Sequence, residues 1–316
     1  MDKSLTVFDK YCKSEITKSN YQYQFSKFLK WTKIKEGDGI LQLRESALQE
    51  MIEDYIYSLR HRVSPNSYSG VVASLQLFFS MNDKVLNWDK IYRLIPSSVA
   101  KSGKDAWTNV DITKMLESTT SLRNRAIIHF LTSTGCRLGA IPELRSKHIE
   151  NLQDGFKAVL IYAGAKEEYY AFLTSESGRI LDEYLEKRKR DGEYLNEDSP
   201  VFREEYQVGI QKVIPLTYDA VAYMLYRIVK KIQRKRTGHR FNVQMAHGFR
   251  KRYASIIKMD NTISWAVSER LLGHKSYLDE EYFRPTRDNL FKEFLKIQQH
   301  LILDDGERER VRRIEA

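Results

Sequence analysis

Arg137, Lys166, His247, Arg250, His274 and Tyr282 occur in that order across nearly half of the 316-residue chain. Their side chains are the types that could break a phosphodiester without a metal. Guanidinium groups carry permanent charge and forked donors for phosphate oxygens. Imidazole and ammonium groups move protons near neutral pH, and a phenol can attack as a covalent nucleophile. Taken singly, each has an ordinary structural explanation. An arginine after a helix-ending glycine can cap carbonyls, a hairpin lysine is a solvated edge residue, and most tyrosines pack. Order and local context are what give the set its meaning.

Thr134-Gly135-Cys136-Arg137 closes an apolar helix on a glycine and presents an arginine at the turn. Lys166 lies in Ala163-Gly164-Ala165-Lys166-Glu167-Glu168, between the β-rich runs Phe156–Tyr162 and Tyr169–Leu173, which predicts a hairpin. Ala246-His247-Gly248-Phe249-Arg250 opens a helix, where free N–H groups and the dipole attract phosphate. His247 and Arg250 are three apart and share a helical face. Leu271-Leu272-Gly273-His274 ends another helix on glycine, and Tyr282 follows in Glu280-Glu281-Tyr282-Phe283-Arg284-Pro285. Tyr277 competes for the nucleophile's role, but the spacing from His274 and the Arg-Pro sequel favour Tyr282.

A formal net charge of +10 points to a polyanionic partner. From Arg227 to Arg252 there are ten Lys or Arg and no acid. Within that run and just beyond the histidine, Lys230, Lys231, Arg234, Lys235, Arg236, Arg240, Lys251 and Arg252 are candidate contacts to a DNA backbone. Cys12 and Cys136 are too few for a disulfide framework or a thiolate zinc site. There is neither a phosphate-binding Gly-x-x-x-x-Gly-Lys-Ser/Thr loop nor a clear cluster of metal-ligand residues, so neither cofactor nor metal is expected. The absence of an apolar leader or a spanning stretch predicts a cytoplasmic chain, and a DNA partner would make it nucleoid-associated.

The elements that must position these residues are mostly helical. Tyr21, Phe25, Phe28 and Leu29 form one apolar stripe after the capping candidates Thr17 and Ser19. Leu48, Met51, Ile52, Tyr55, Ile56 and Leu59 form a second, and Ser64-Pro65 precedes a third from Tyr68 to Phe79. Periodicity is lost from Pro96 to Asp105. The expected organisation is a helical bundle at 1–95, a linker at 96–106, a second domain at 107–303 and a frayed tail at 304–316. Within the second domain, Thr108 caps a helix to Leu116 and a second runs from Arg123 to Thr134. Others fall at about 175–190, 217–236, 247–258, 263–272 and 287–303. The expected fold is mainly α with a small β-hairpin or sheet, in two domains.

From Thr134 to Pro285 the succession TGCR, hairpin lysine, HGFR, LLGH and a tyrosine before Arg-Pro resembles the tyrosine recombinase, or phage integrase, family. Gly139-Ala140-Ile141-Pro142-Glu143-Leu144 and Tyr282-Phe283-Arg284-Pro285 are similar to its archaeal members. The helical front half is similar to the family's core-binding domain, so the resemblance implies that 1–95 binds DNA, that 107–303 is the catalytic domain, and that the two domains clamp duplex DNA. The resemblance implies that Tyr282 attacks the scissile phosphate, forming a 3′-phosphotyrosyl link and releasing a 5′-hydroxyl. Arg137 and Arg250 would hold the non-bridging oxygens, Lys166 would protonate the leaving oxygen, and His247 would assist proton transfer. His274 would hydrogen-bond a phosphate oxygen. It further implies integration or excision of a mobile element, or chromosome-dimer resolution, by a tetramer assembled on double-stranded recombination sites through residues 287–303. One position departs from the pattern: Ala140 stands where many members carry an acid, and the nearest acid is Glu143. Two other functions share these residues: a type IB topoisomerase, and a non-catalytic DNA-binding regulator derived from an integrase.

Overall fold

Apolar residues at helical spacing build the first of two compact units, Met1–Lys101 and Ser102–Ala316. The computed structural model describes residues 3–12, 14–97, 103–205, 213–237, 240–274 and 283–315. In the first unit, helices α1 (Lys3–Lys10), α2 (Glu15–Thr32), α3 (Gly37–Leu41), α4 (Glu45–Ser58), α5 (Tyr68–Met81) and α6 (Trp88–Arg93) enclose an aromatic core. Phe25 stacks on Phe78 with centroids 3.8 Å apart, and Phe8 packs edge-on to Phe78. Both α2 and α5 therefore converge on one ring cluster.

Two boundaries in this unit differ from expectation. Helix α2 starts at Glu15, because extended Ser14 accepts a hydrogen bond from Thr17 N at 3.2 Å and acts as the cap in place of Thr17 or Ser19. Ser64 makes no side-chain cap, and Pro65 opens a 3₁₀ turn, Pro65–Ser67, that leads into α5.

The second unit is built around a three-stranded antiparallel sheet, β1 (Ile149–Asn151), β2 (Lys157–Ile161) and β3 (Tyr169–Leu173), in the order β1-β2-β3. Ile161 pairs with Tyr169 and Lys157 with Leu173, so the loop between them is the predicted hairpin turn. Alternation along the strands separates two cores. Val159, Ile161, Ala171 and Leu173 face a cluster shared with α7 (Asn109–Glu117), α8 (Leu122–Thr134), α9 (Ser175–Arg190) and α10 (Tyr218–Lys230). Ala158 and Phe172 face a second cluster with α11 (Met245–Met259), α12 (Trp265–Leu271) and α13 (Arg287–Leu301). Strand β1 has no counterpart in the sequence reading, since three half-exposed residues carry no periodic signal.

Helix α10 stops at Lys230, well short of 236. Bonds from Lys231 N to Ile228 O and from Ile232 N to Val229 O tighten its end. The basic run therefore leaves the helix and enters a short ribbon, β4 (Arg236–Thr237) with β5 (Arg240–Phe241). The C-terminal segment also departs from the reading. Residues expected to fray form α14 (Asp305–Glu315), with Val311 buried. Leu290, Phe291, Phe294, Ile297 and Leu301 of α13 are buried in their own unit, with Phe294 and Phe291 against Phe172. This apolar face, which the sequence offered as an assembly surface, is occupied by intramolecular packing.

Candidate active site

One buried guanidinium joins the ends of two helices. Arg250, in the second turn of α11, donates from Nη1 to Gly135 O at 3.0 Å and from Nη2 to Leu272 O. The same Nη2 lies 2.9 Å from His274 Nε2. The carbonyls belong to the C-terminal ends of α8 and α12, where no intrahelical donor remains for them. Arg250 thus brings the turn carrying Arg137 and the turn carrying His274 within reach of one side chain.

Glycine is required at both turns. Gly135 has φ 55°, and a Cβ there would meet the Cβ of Tyr253 at 2.5 Å. Gly273 has φ 61°, and a Cβ there would lie 2.4 Å from the ring of Tyr169. Only a residue without a side chain allows such close approach in the left-handed region. The next residues then face outward: Arg137 is exposed and His274 partly so. The hydroxyls of Tyr169 and Tyr253 are buried beside Arg250 without an aligned partner, and burial raises both phenols far above their ordinary values.

His247 lies in the first turn of α11, exposed, on the same helix as Arg250. Partial burial lowers its pKa, and the charges of Arg250, Lys251 and Arg137 push it the same way, so all three cations lie within electrostatic reach of the ring. Trp107 sets the start of this helix: its Nε1 donates to Met245 O at 2.8 Å and its indole fills the space over Gly248. At the base of the hairpin, Tyr162 is raised by burial and lies within electrostatic reach of Arg137, Glu143 and Arg250. Ala140 is buried, so no acid enters from that position, while Glu143 is exposed.

The structure therefore brings together four of the six predicted residues: Arg137, His247, Arg250 and His274. Lys166 is exposed at the tip of the β2–β3 turn and makes no hydrogen bond or ion pair with the described residues. Tyr282 and its competitor Tyr277 lie outside the described residues. Phe283, where description resumes, accepts from Arg270 Nη2 at 2.8 Å. Sequence reasoning missed Glu269, whose Oε2 is 2.8 Å from His274 Nδ1. The signal was present: Glu269 stands in the last turn of α12, five positions before the histidine.

The candidate DNA contacts divide by burial. Lys230 and Lys235 are exposed, and the guanidiniums of Arg234 and Arg236 lie over the Phe241 ring at 3.5 and 4.0 Å. Lys231 donates to Ser118 O at 2.8 Å, Lys251 donates to Gly103 O, and the Arg240 side chain lies outside the described residues. Arg252 corrects the sequence reading. It is 5% exposed and donates to Asn109 Oδ1 at 2.6 Å and His300 O at 2.5 Å, tying α7 to α13. Its helical phase, two residues after Arg250, turns it into the interior.

These features define a helical domain with a small sheet and a polar cluster where three helix termini meet. The chain belongs to the phage integrase family, whose profile matches residues 108–279. Tyrosine recombinase XerC of Lactobacillus delbrueckii subsp. bulgaricus is 25% identical over 156 residues, 49% of this chain and 48% of the relative. The chain thus spans about half the length of the curated relatives it matches. Among solved structures, the Tn1549 transposon integrase in complex with circular intermediate DNA superposes with TM-score 0.61 at 12% identity, covering 93% of this chain and 99% of that one. XerH site-specific recombinase bound to its difH substrate gives TM-score 0.52 at 20% identity, covering 79% and 69%. The fold is that of these two-domain enzymes.

Proposed function

We propose that the chain is a site-specific DNA recombinase that cleaves and rejoins strands through a 3′-phosphotyrosyl intermediate on Tyr282. The observation that carries this reading is the bridge made by Arg250 between the Arg137 and His274 turns, with His247 beside it. Preorganised cations at one point serve a phosphate whose charge grows in the transition state. Arg137 and Arg250 would take the non-bridging oxygens, Lys166 the leaving 5′ oxygen, and His247 the proton at the nucleophile. Because the phosphotyrosine preserves the energy of the broken bond, a second 5′-hydroxyl can reverse the step without a nucleotide cofactor.

The exposed Lys230 and Lys235 support contact with a DNA backbone. Integration or excision of a mobile element is the favoured task, carried out by a tetramer on paired DNA sites in the cytoplasm. The Gly139–Leu144 and Tyr282–Pro285 segments support an affinity with archaeal members.

The test is covalent trapping on a nicked duplex that loses its 5′ end after cleavage. Wild type should form a DNA adduct mapped to Tyr282, and Tyr282→Phe should form none. The same empty result for both proteins would favour a regulator that binds without cutting. Relaxation of any supercoiled plasmid without recombinants would favour the topoisomerase.

A further inference from the structure

We infer that Glu269 is a positioning residue for His274: it holds the imidazole with its proton on Nδ1 and sustains the second proton needed when Nε2 turns to a phosphate. This rests on the catalytic reading above. The left-handed Gly273 folds the chain back, so that His274 N donates to Glu269 O at 2.9 Å while Nδ1 meets Oε2. Lys258 Nζ stands 2.6 Å from the other carboxylate oxygen, an ion pair rather than an aligned hydrogen bond, and lies over the Trp265 ring. Burial alone would raise the Glu269 carboxyl, but Lys258 and His274 together bring it below its ordinary value.

The protons can be placed from donor types. A guanidinium has no acceptor, so at the 2.9 Å contact with Arg250 Nη2 the Nε2 atom of His274 must accept. The single ring proton then sits on Nδ1, facing the carboxylate. Phosphodiester oxygens only accept. For His274 to serve one of them, Nε2 must bind a proton from water, and Arg250 Nη2 is released to the same phosphate. One proton is taken up when phosphate engages and returned when it leaves; nothing else is exchanged. The carboxylate of Glu269 favours the doubly protonated ring, whereas Lys258 draws on that same charge and opposes it. Glu167 and Glu168 of the hairpin, Tyr169, Arg270 and Arg284 share the cleft with His274, and they are common to every variant compared below.

The two neighbours of one ion pair should therefore act with opposite sign. In the full-length protein without DNA, ¹⁵N shifts should show wild-type His274 protonated at Nδ1. Glu269→Gln keeps the size and an acceptor, so the tautomer should persist while ring protonation moves about one unit to lower pH. Lys258→Met should move it to higher pH, and Glu269→Leu should abolish the Nδ1 preference. On the nicked duplex, the high-pH limb of cleavage should move in the same two directions. A packing role alone would impair both variants alike, with no displacement of the pH profile. The inference is overturned if both limbs move the same way or stay in place, or if the wild-type ring carries its proton on Nε2. Absence of any adduct, with the NMR order intact, would instead remove the catalytic reading and leave the tautomer assignment standing.

Discussion

Replacing Arg250 by lysine preserves charge but removes the planar fork, and the structure lets the cost be worked out. Arg250 is 8% exposed and serves Gly135 O, Leu272 O and His274 Nε2. A single ammonium cannot span both helix ends. One buried carbonyl then loses its donor, which costs about 1–3 kcal/mol, and the lost charge-assisted bond adds about 1.5–3 kcal/mol. The expected destabilisation is about 3–5 kcal/mol, or roughly 10 °C in the melting temperature of the unit containing it. Loss of a preorganised phosphate donor should add a fall of about 10²–10³-fold in the cleavage step. Thermal unfolding reads the first quantity. Single-turnover cleavage on the nicked duplex, well below the melting point and at saturating protein, reads the second. If Arg250→Lys melts and cleaves like wild type, the bridge between α8 and α12 is not what assembles the site.

Four further outcomes follow from the packing and the charges. Arg252→Met should lower stability by about 3–5 kcal/mol, since two hydrogen bonds from a charged donor, to Asn109 and to the His300 carbonyl, are lost at about 1.5–3 kcal/mol each, but leave the salt dependence of DNA binding intact. Lys230→Ala or Lys235→Ala should each reduce the salt slope by about one without altering the melt, as titrations at several ionic strengths would reveal. Phe294→Ala should cost about 3–5 kcal/mol in denaturant unfolding, because the fully buried ring packs on Phe172; a variant impaired only in assembly would contradict the intramolecular placement of α13. His129 is buried neutral, its pKa lowered to about 4 by burial and by Arg125 and Arg179. Between about pH 6.5 and 4 the unfolded chain binds this proton more readily, so its contribution is full above 6.5 and shrinks as pH falls. The raised pKa of nearby Glu176 acts with opposite sign, so the comparison must be with His129→Gln, whose stability should fall less steeply over that window.

Much of the fold was legible because its signals are local. The capping box at Thr108, the glycine end of α8 and the β2–β3 pairing all depend on residues within a few positions of one another. Helix lengths at the basic run were not, since Lys230 to Arg236 has helical propensity, whereas the tightened end at Ile232 and the pairing of β4 with β5 take it out of α10. The same holds for the chain end, where α14 combines ion pairs along its charged sequence, such as Arg308 with Asp305 and Arg313 with Glu309, with a buried Val311 whose partners lie far away in the chain.

At the site, residue type and order by themselves determined which groups can hold and move a phosphate, because guanidinium, imidazole and phenol chemistry belongs to each side chain wherever it stands. What each group touches was decided by tertiary structure alone. Arg250 and Arg252 are two residues apart and read alike, yet one bridges the Gly135 turn and His274 while the other ties Asn109 to the His300 carbonyl in the interior. Glu269 reads as one more surface acid until the Gly273 turn folds His274 back onto it. Helical phase and chain reversal place atoms tens of residues apart within 3 Å of each other, and that proximity converts a list of capable side chains into a site.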